Sequence, residues 1–130
     1  MIVLDASAAV DWLLQTAAGQ RIEERIYAHH ETLHAPHLLD LEVTQVLRRL
    51  AQQGVVAGPR AEEAIRDLLD LRVTRYPHFV LLPRIWQLRH NFSAYDAAYI
   101  ALAEKLRAPL ITRDARLASA SGCPATIELF

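Results

Sequence analysis

The chain has 130 residues, the length of one domain, and 52% of them are hydrophobic, which is enough to build a buried core. Its formal net charge of -1 excludes a global positive field for nucleic acid, so any such binding requires a local basic patch. The single cysteine excludes an intramolecular disulfide. Acidic residues interrupt the first apolar run, which argues against a signal peptide, and no apolar run is as long as a membrane span. We therefore expect one cytoplasmic domain over residues 1–130.

The predicted secondary structure alternates strands with helices along the whole chain. Ser7 and Ser93 are predicted to be helix N-caps, and Pro59 is typical of a first helical turn. Gly54 is predicted to end the longest helix. In chain order the predictions are a strand over residues 2–5, helices over 8–14 and 19–29, a strand over 32–35, helices over 37–53 and 59–71, a strand over 73–76, helices over 79–89 and 94–107, a strand over 110–112, a helix over 115–120 and a strand over 126–129.

This alternation predicts an α/β fold. Strands that alternate with helices indicate βαβ units and therefore a parallel sheet. Right-handed crossovers place the helices on both faces of such a sheet. An open parallel sheet binds its ligands outside the carboxyl ends of the strands, where the strand order reverses. Functional side chains are therefore expected at strand ends and near the starts of the following helices.

Four acidic residues stand at such positions. Asp5 closes the apolar run of the first strand, and Asp114 follows the strand over residues 110–112. Glu42 and Asp96 lie near the starts of two predicted helices. Carboxylates that converge repel one another unless a cation is present. Because such hard oxygen ligands select Mg²⁺ or Mn²⁺ over softer metals, the pattern predicts a site for a hard metal ion.

Each acid also has a purely structural interpretation. Asp5 would cap the helix that follows it, and Asp114 would be the N-cap of the helix over residues 115–120. The segment from Ser93 to Asp96 resembles a capping box, and the helix dipole favours an acid in a first turn. The argument for a metal site rests on the combination, because four independent caps have no reason to converge.

Glu42 is preferred as a ligand over Asp40, two residues earlier on the same predicted helix. Asp40 is expected to lie on the surface and to pair with Arg48 or Arg49. Glu42 aligns with Val46 and the apolar flank of the helix, and an acid at the margin of a buried face needs a partner. The alternative, an ordinary surface glutamate, stays open at this stage.

Four segments of the chain resemble one known family. They are residues 2–8 (Ile-Val-Leu-Asp-Ala-Ser-Ala), residues 35–36 leading to residues 41–43, residues 95–104 and residues 110–114. In their order and spacing, over nearly the whole chain, they resemble the PIN domain family, in particular the VapC-type ribonuclease toxins of bacterial toxin–antitoxin modules. Each segment alone is weak evidence for the resemblance, whereas the four together are specific for this family.

The resemblance implies a three-layer α/β/α sandwich with a central parallel sheet and an endoribonuclease activity that depends on Mg²⁺ or Mn²⁺. It also implies a homodimer and a small VapB-type antitoxin that wraps the toxin and blocks its site in a hetero-oligomer. Ser7 and Thr112 would be hydroxyl groups that support the metal ligands. By position, the catalytic and metal-binding acids would be Asp5, Glu42, Asp96 and Asp114.

The arginines near the last aspartate are candidates for binding RNA. Arg113 and Arg116 flank Asp114 and are expected to hold phosphates, with Arg84 and Arg89 as candidates to extend the patch. A solvated surface position is the alternative for each of them. Some relatives carry a further acidic or amide residue just past the last aspartate, where this chain has an arginine and a leucine. This difference argues against full occupancy by two metal ions in the free protein.

Two other functions stay open beside the toxin. One is a PIN-domain nuclease that has no antitoxin, and the other is a non-catalytic PIN-like module that binds RNA or protein. The presence of all four acids argues against the second, because a module without catalysis has no need to hold four carboxylates that repel one another.

Overall fold

A five-stranded parallel sheet forms the centre of the computed structural model, which describes residues 1–130. Its strands are β1 (Ile2–Leu4), β2 (Leu33–Pro36), β3 (Val73–Tyr76), β4 (Leu110–Thr112) and β5 (Ile127–Leu129). The helices are α1 (Ala6–Leu13), α2 (Ala17–Ala28), α3 (Leu38–Gln52), α4 (Gly58–Asp70), α5 (Leu82–Gln87), α6 (Ala94–Leu106) and α7 (Ala115–Ser119), and a 3₁₀ turn (His78–Leu81) precedes α5. None of the helices combines the length and the apolar character needed to cross a bilayer.

The strand order β3-β2-β1-β4-β5 places β1 in the middle of the sheet. Val3 pairs with His34 of β2 on one side and with Leu110 of β4 on the other. The chain first adds strands outward from β1 to β3 and then returns to the opposite side of β1. The strand order therefore reverses between β1 and β4, and the carboxyl ends of these two strands mark the expected ligand crevice.

The helices cover both faces of the sheet. On one face α1 packs against α2, α3 and α4, and on the other α6 packs against α5 and against β1, β2 and β4. Residues 97–103 of α6 are buried on every side because this helix lies between the sheet and α5. The predicted three-layer α/β/α sandwich with a central parallel sheet is confirmed.

Most predicted elements are confirmed with ends shifted by one or two residues. The N-cap predicted at Ser7 was wrong, since Asp5 occupies the N-cap of α1 and Ser7 lies inside its first turn. The helix predicted over residues 79–89 is split into the 3₁₀ turn and α5. Pro83 lies in the first turn of α5, where its missing N–H is not needed, and this favours a new helix start.

Candidate functional site

The four predicted acids converge on one open cleft of about 560 Å³. Asp5 directly follows β1, and Asp114 lies two residues past the end of β4. Glu42 comes from α3 in one helical layer, and Asp96 comes from the first turn of α6 in the other layer. The sheet and both layers thus each contribute carboxylates, at the position where the reversal of strand order predicts a ligand site.

Two hydroxyl groups orient the carboxylate of Asp5. Ser7 Oγ donates to Asp5 Oδ2 at 2.9 Å, and Thr112 Oγ1 donates to the same oxygen. Ser7 Oγ also accepts from the backbone N–H of Arg113 at 3.0 Å, and Thr112 Oγ1 accepts from that of Asp114 at 3.0 Å. Although Asp5 occupies an N-cap position, its side chain makes no capping hydrogen bond. Its carboxylate is therefore not used as a cap, and Oδ1 takes no part in these contacts.

Glu42 has a buried oxygen without a partner. Neither Glu42 Oε1 nor the hydroxyl of Tyr99 has a well-formed hydrogen bond, although both atoms are buried and the two groups lie close enough for the hydroxyl to attract the carboxylate. Burial raises the pKa of Glu42, the charges of Asp5 and Asp96 raise it further, and the nearby Tyr99 hydroxyl partly opposes this rise. A buried carboxylate oxygen that lacks a donor is an atom that a bound cation would satisfy.

Asp96 combines a capped backbone with a carboxylate in the cleft. Ser93 Oγ accepts from the backbone N–H of Asp96 at 3.1 Å, so the N-cap predicted at Ser93 is confirmed. Burial raises the pKa of the Asp96 carboxyl, as does the charge of Asp5, against the opposing effect of the Ser93 hydroxyl. Helix capping thus accounts for the role of Ser93, whereas the side chain of Asp96 lines the cleft.

Asp114 differs from the other three acids because an arginine already binds its carboxylate. Arg116 Nη2 donates to Asp114 Oδ2 at 2.7 Å, and Arg116 Nε donates to Oδ1 at 3.2 Å. The backbone N–H of Arg116 also donates to Oδ1, at 2.9 Å, which makes Asp114 the N-cap of α7. The side-chain hydrogen bond from Arg116 is the main reason that the pKa of Asp114 lies below its usual value.

The cleft has the donor atoms that a hard cation prefers, but these atoms are not arranged around a single ion. It offers four carboxylates, and one of their oxygens is buried without any partner. As the side chains stand, however, no three His, Cys, Asp or Glu residues of the chain are placed to hold one metal ion. At Asp114, both oxygens also accept hydrogen bonds from Arg116. The cleft therefore has the right donor atoms for a divalent cation, and its carboxylates must move closer together to share one ion.

The two arginines that flank Asp114 lie in different places. Arg116 lines the cleft, whereas Arg113 does not. Arg113 Nε pairs with Asp11 Oδ2 at 2.7 Å, and its Nη1 donates to the carbonyl oxygen of Phe130. These contacts use the guanidinium of Arg113 to fix the end of the chain, so a phosphate contact by this residue would first have to break them.

The other predicted basic contacts also lie outside the cleft. Arg84 pairs with Glu104 at 2.7 Å, and the guanidinium of Arg89 lies over the ring of Trp86 at 4.6 Å from its centroid. Neither arginine lines the cleft, so they do not extend a basic patch around the acids.

The pairing predicted for Asp40 was wrong. Its carboxylate forms a two-pronged ion pair with Arg75 of β3, with contacts of 2.7 and 2.8 Å, and does not contact Arg48 or Arg49. Arg49 instead lines the cleft without an ion pair, and Gln45 lines it as well. Gln45 lies three positions and Arg49 seven positions after Glu42, on the same side of α3. This helical spacing is the sequence signal that identifies them.

Comparison with known proteins gives a consistent result. The family model of the PIN domain matches residues 2–122. Ribonuclease VapC9 of Mycobacterium tuberculosis is 45% identical over 129 residues, which cover 98% of each chain. The solved structure of PAE2754 from Pyrobaculum aerophilum has a TM-score of 0.67 at 25% identity and covers 97% of this chain and 82% of its own. VapBC2 from Rickettsia felis, solved with a DNA fragment from its promoter, shares the fold with a TM-score of 0.66 at 13% identity, covering 99% of this chain and 98% of its own.

Proposed function

Because this chain belongs to the PIN domain family, we propose that it is a Mg²⁺- or Mn²⁺-dependent endoribonuclease and the toxin of a toxin–antitoxin module. The observation that carries the proposal is the convergence of Asp5, Glu42, Asp96 and Asp114 on one cleft. The ribonuclease name of a relative that is 45% identical over 98% of both chains supports the reaction class.

The acids of the cleft would act as metal ligands. Asp5, Glu42 and Asp96 would hold a divalent cation, and Asp114 would join them once Arg116 has moved. When bound, this cation would supply an activated water and stabilise the oxygen that leaves the phosphodiester. Ser7 and Thr112 hold Oδ2 of Asp5 and leave its Oδ1 free of these contacts, which orients the carboxylate in advance. No side chain is needed as the nucleophile, and the expected products carry a 5′ phosphate and a 3′ hydroxyl.

The rim of the cleft offers contacts for a single RNA strand. Arg49 lines the cleft without an ion pair, so its guanidinium is free to bind a phosphate. Tyr95 and Leu41 also line the cleft and are 63% and 72% exposed, which suits them to pack against bases. We infer that Arg49 and Arg116 carry the phosphate contacts, in place of Arg113.

An exposed apolar surface next to the cleft supports the proposed protein partners. Leu82 and Tyr95 are more than half exposed and also line a small neighbouring pocket of about 140 Å³. Phe79, Val80 and Trp86, in or near the 3₁₀ turn and α5, are likewise at least half exposed. Exposed apolar groups of this density are typical of interaction surfaces. We propose that a VapB-type antitoxin and a second copy of this chain cover them, in the cytoplasm where the RNA is.

The test is cleavage of total RNA by the purified protein with Mg²⁺, Mn²⁺ or EDTA, beside three variants. Asp5→Asn and Asp96→Asn each remove one charge from the cleft, and Asp67→Asn makes the same change at an exposed position on α4. We expect metal-dependent cuts that the first two variants lose and the third keeps. Cleavage that persists in EDTA or in both cleft variants would refute the metal mechanism. RNA that is bound but never cut would favour the non-catalytic module.

The antitoxin separates the toxin from a nuclease that works alone. A toxin should have, next to its gene, a short reading frame whose product binds DNA through its N-terminus. Co-expression of that product should block cleavage and should cover the apolar side chains around α5. If no neighbouring product binds the protein, the free-standing nuclease is the better description.

A further inference from the structure

Arg116 binds the one cleft acid whose two oxygens are both engaged. Asp5 is held by neutral hydroxyls, whereas the side chain of Asp114 meets a guanidinium. We propose that Arg116 is a latch on the acidic cluster: it keeps Asp114 from a cation until an RNA phosphate takes the arginine away. This inference rests on the proposed function and adds a coupling between the binding of the divalent cation and the binding of RNA.

Competition follows directly from the contacts. The guanidinium of Arg116 binds both oxygens of Asp114, so a divalent cation that used either oxygen would have to compete with one of these hydrogen bonds. Arg116 also brings a positive charge into the cleft that the four carboxylates line. The arginine thus replaces part of the charge that a cation would bring. Removing it from Asp114 should therefore strengthen cation binding.

The latch is placed so that it can open. The side chain of Arg116 is 86% exposed, and its guanidinium makes no hydrogen bond or ion pair other than those with Asp114. Ion pairs with this much exposure are weak, because water and salt screen them. The helix that carries Arg116 has only five residues, and Leu117 is its only buried residue. The guanidinium can therefore swing away without any change in the core.

A phosphate is the natural acceptor for the released arginine. The planar guanidinium donates two parallel hydrogen bonds, a geometry that suits a phosphate as well as a carboxylate. Arg116 lines the cleft that the RNA backbone would enter. By linkage, RNA should then raise the affinity for the metal, and the metal should raise the affinity for RNA by the same factor. The free protein would hold its metal loosely and load it fully with RNA.

The first experiment measures binding of Mn²⁺ alone, by calorimetry, to the wild type, Arg116→Gln and Arg49→Gln. Both variants remove one positive charge from the same cleft, but only the first frees Asp114. We expect Arg116→Gln to bind Mn²⁺ about two- to fivefold more tightly, as suits loss of an exposed ion pair, and Arg49→Gln to change less. Equal tightening in both variants, or none in Arg116→Gln, would overturn the latch and leave the metal site intact. Absence of Mn²⁺ binding in all three would overturn the latch and the proposed metal site together.

A double-mutant cycle assigns the effect to Asp114. In an Asp114→Asn background, Arg116→Gln should no longer tighten Mn²⁺ binding, because the competitor has lost its partner. Circular dichroism of each variant checks that the fold is kept. If Arg116→Gln tightens binding equally in both backgrounds, the arginine acts through its general charge and the latch is refuted.

A third measurement tests the coupling to RNA. Mn²⁺ affinity is determined with and without a 2′-O-methyl RNA decamer, whose integrity is checked by mass spectrometry. We expect the decamer to tighten Mn²⁺ binding in the wild type by a larger factor than in Arg116→Gln. Equal factors in the two proteins would show that RNA does not open the latch, which contradicts the proposal.

Discussion

The hydroxyl of Tyr99 lies buried beside the carboxyl of Glu42, and neither the hydroxyl nor Glu42 Oε1 has a well-formed hydrogen bond. Burial is also the main reason that the pKa of Tyr99 lies far above its usual value, so this hydroxyl stays protonated. Two buried polar groups, one of them on a residue that lines the cleft, are thus kept at the expense of stability. Such a cost is typical of positions kept for binding rather than for folding.

The first prediction concerns this unpartnered hydroxyl. Tyr99→Phe should leave the unfolding free energy unchanged or raise it by up to about 1 kcal/mol, because it removes a buried group without a partner. Urea unfolding in EDTA measures the change, with the exposed Tyr27→Phe as the matched control. A loss of more than about 1 kcal/mol would mean that the hydroxyl has a partner in solution.

The second prediction concerns Asp96 and pH. Its folded-state pKa is raised, so the folded protein binds this proton more tightly than the unfolded chain does. Its contribution to stability is therefore present at low pH and is lost as pH rises from the usual aspartate value through the raised one. Without metal, Asp96→Asn should be as stable as the wild type or more stable near neutral pH. It should also lose less stability than the wild type as pH rises through that window.

Denaturant unfolding in EDTA at a series of pH values tests this difference, and saturating Mg²⁺ should reduce it by neutralising the cleft. Asp67→Asn on α4 is the control for the same substitution in an exposed position. Marked destabilisation of metal-free Asp96→Asn would show instead that the carboxylate acts as a helix cap.

The third prediction concerns the contact between α1 and α2. A Cβ atom added at Gly19 would lie 2.0 Å from the carbonyl oxygen of Asp11 and 2.8 Å from Cα of Trp12. Because both are backbone atoms, the helices must separate, and Gly19→Ala should lower the unfolding free energy by about 3 kcal/mol or more. Gly58→Ala is the matched control, since nothing lies within 4 Å of the added atom there. Thermal melts that place both variants within a degree of the wild type would contradict the close packing.

The fourth prediction concerns His34, a buried histidine on β2. Its ring nitrogens lie 2.9 Å from Thr32 Oγ1 and 2.8 Å from Tyr76 Oη, and burial lowers its pKa below the usual 6.5. The unfolded chain therefore takes up this proton before the folded one, and stability falls as pH drops from 6.5 toward the folded-state pKa. Between pH 6.5 and the lower folded-state pKa, the unfolding free energy should depend less on pH in His34→Gln than in the wild type. The exposed His90→Gln should behave as the wild type, and an unchanged slope in His34→Gln would refute the assignment.

The fifth prediction separates two arginines in RNA binding. Arg49→Gln should weaken binding of a single-stranded RNA and lower the slope of log affinity against log salt by about 0.7, the loss of one phosphate contact. Arg113→Gln should leave that slope unchanged, because Arg113 is paired with Asp11 outside the cleft. Fluorescence anisotropy over a range of salt concentrations decides between them. An equal loss of slope in both variants would place Arg113 on the RNA path after all.

The sequence by itself determined the fold class and the place of the cleft. Apolar runs bounded by helix signals located all five strands, and a parallel sheet of right-handed crossovers has helices on both faces only if its strand order reverses. Asp5 and Asp114 follow directly from strand ends, so their meeting could be inferred from local pattern alone. Glu42 could be separated from Asp40 because helical periodicity decides which side chain faces inward.

Only the tertiary structure decided which charges pair. Arg113 and Arg116 have equivalent places in the sequence beside Asp114, yet one pairs with Asp11 on α1 and the other closes on Asp114. Asp40 likewise pairs with Arg75, 35 residues away, rather than with an arginine on its own helix. Ion pairs depend on distances of a few ångström between side chains from separate elements, and local periodicity carries no information about these distances. The pattern of the backbone therefore gathers the acids, while long-range packing determines which arginines remain available to act on them.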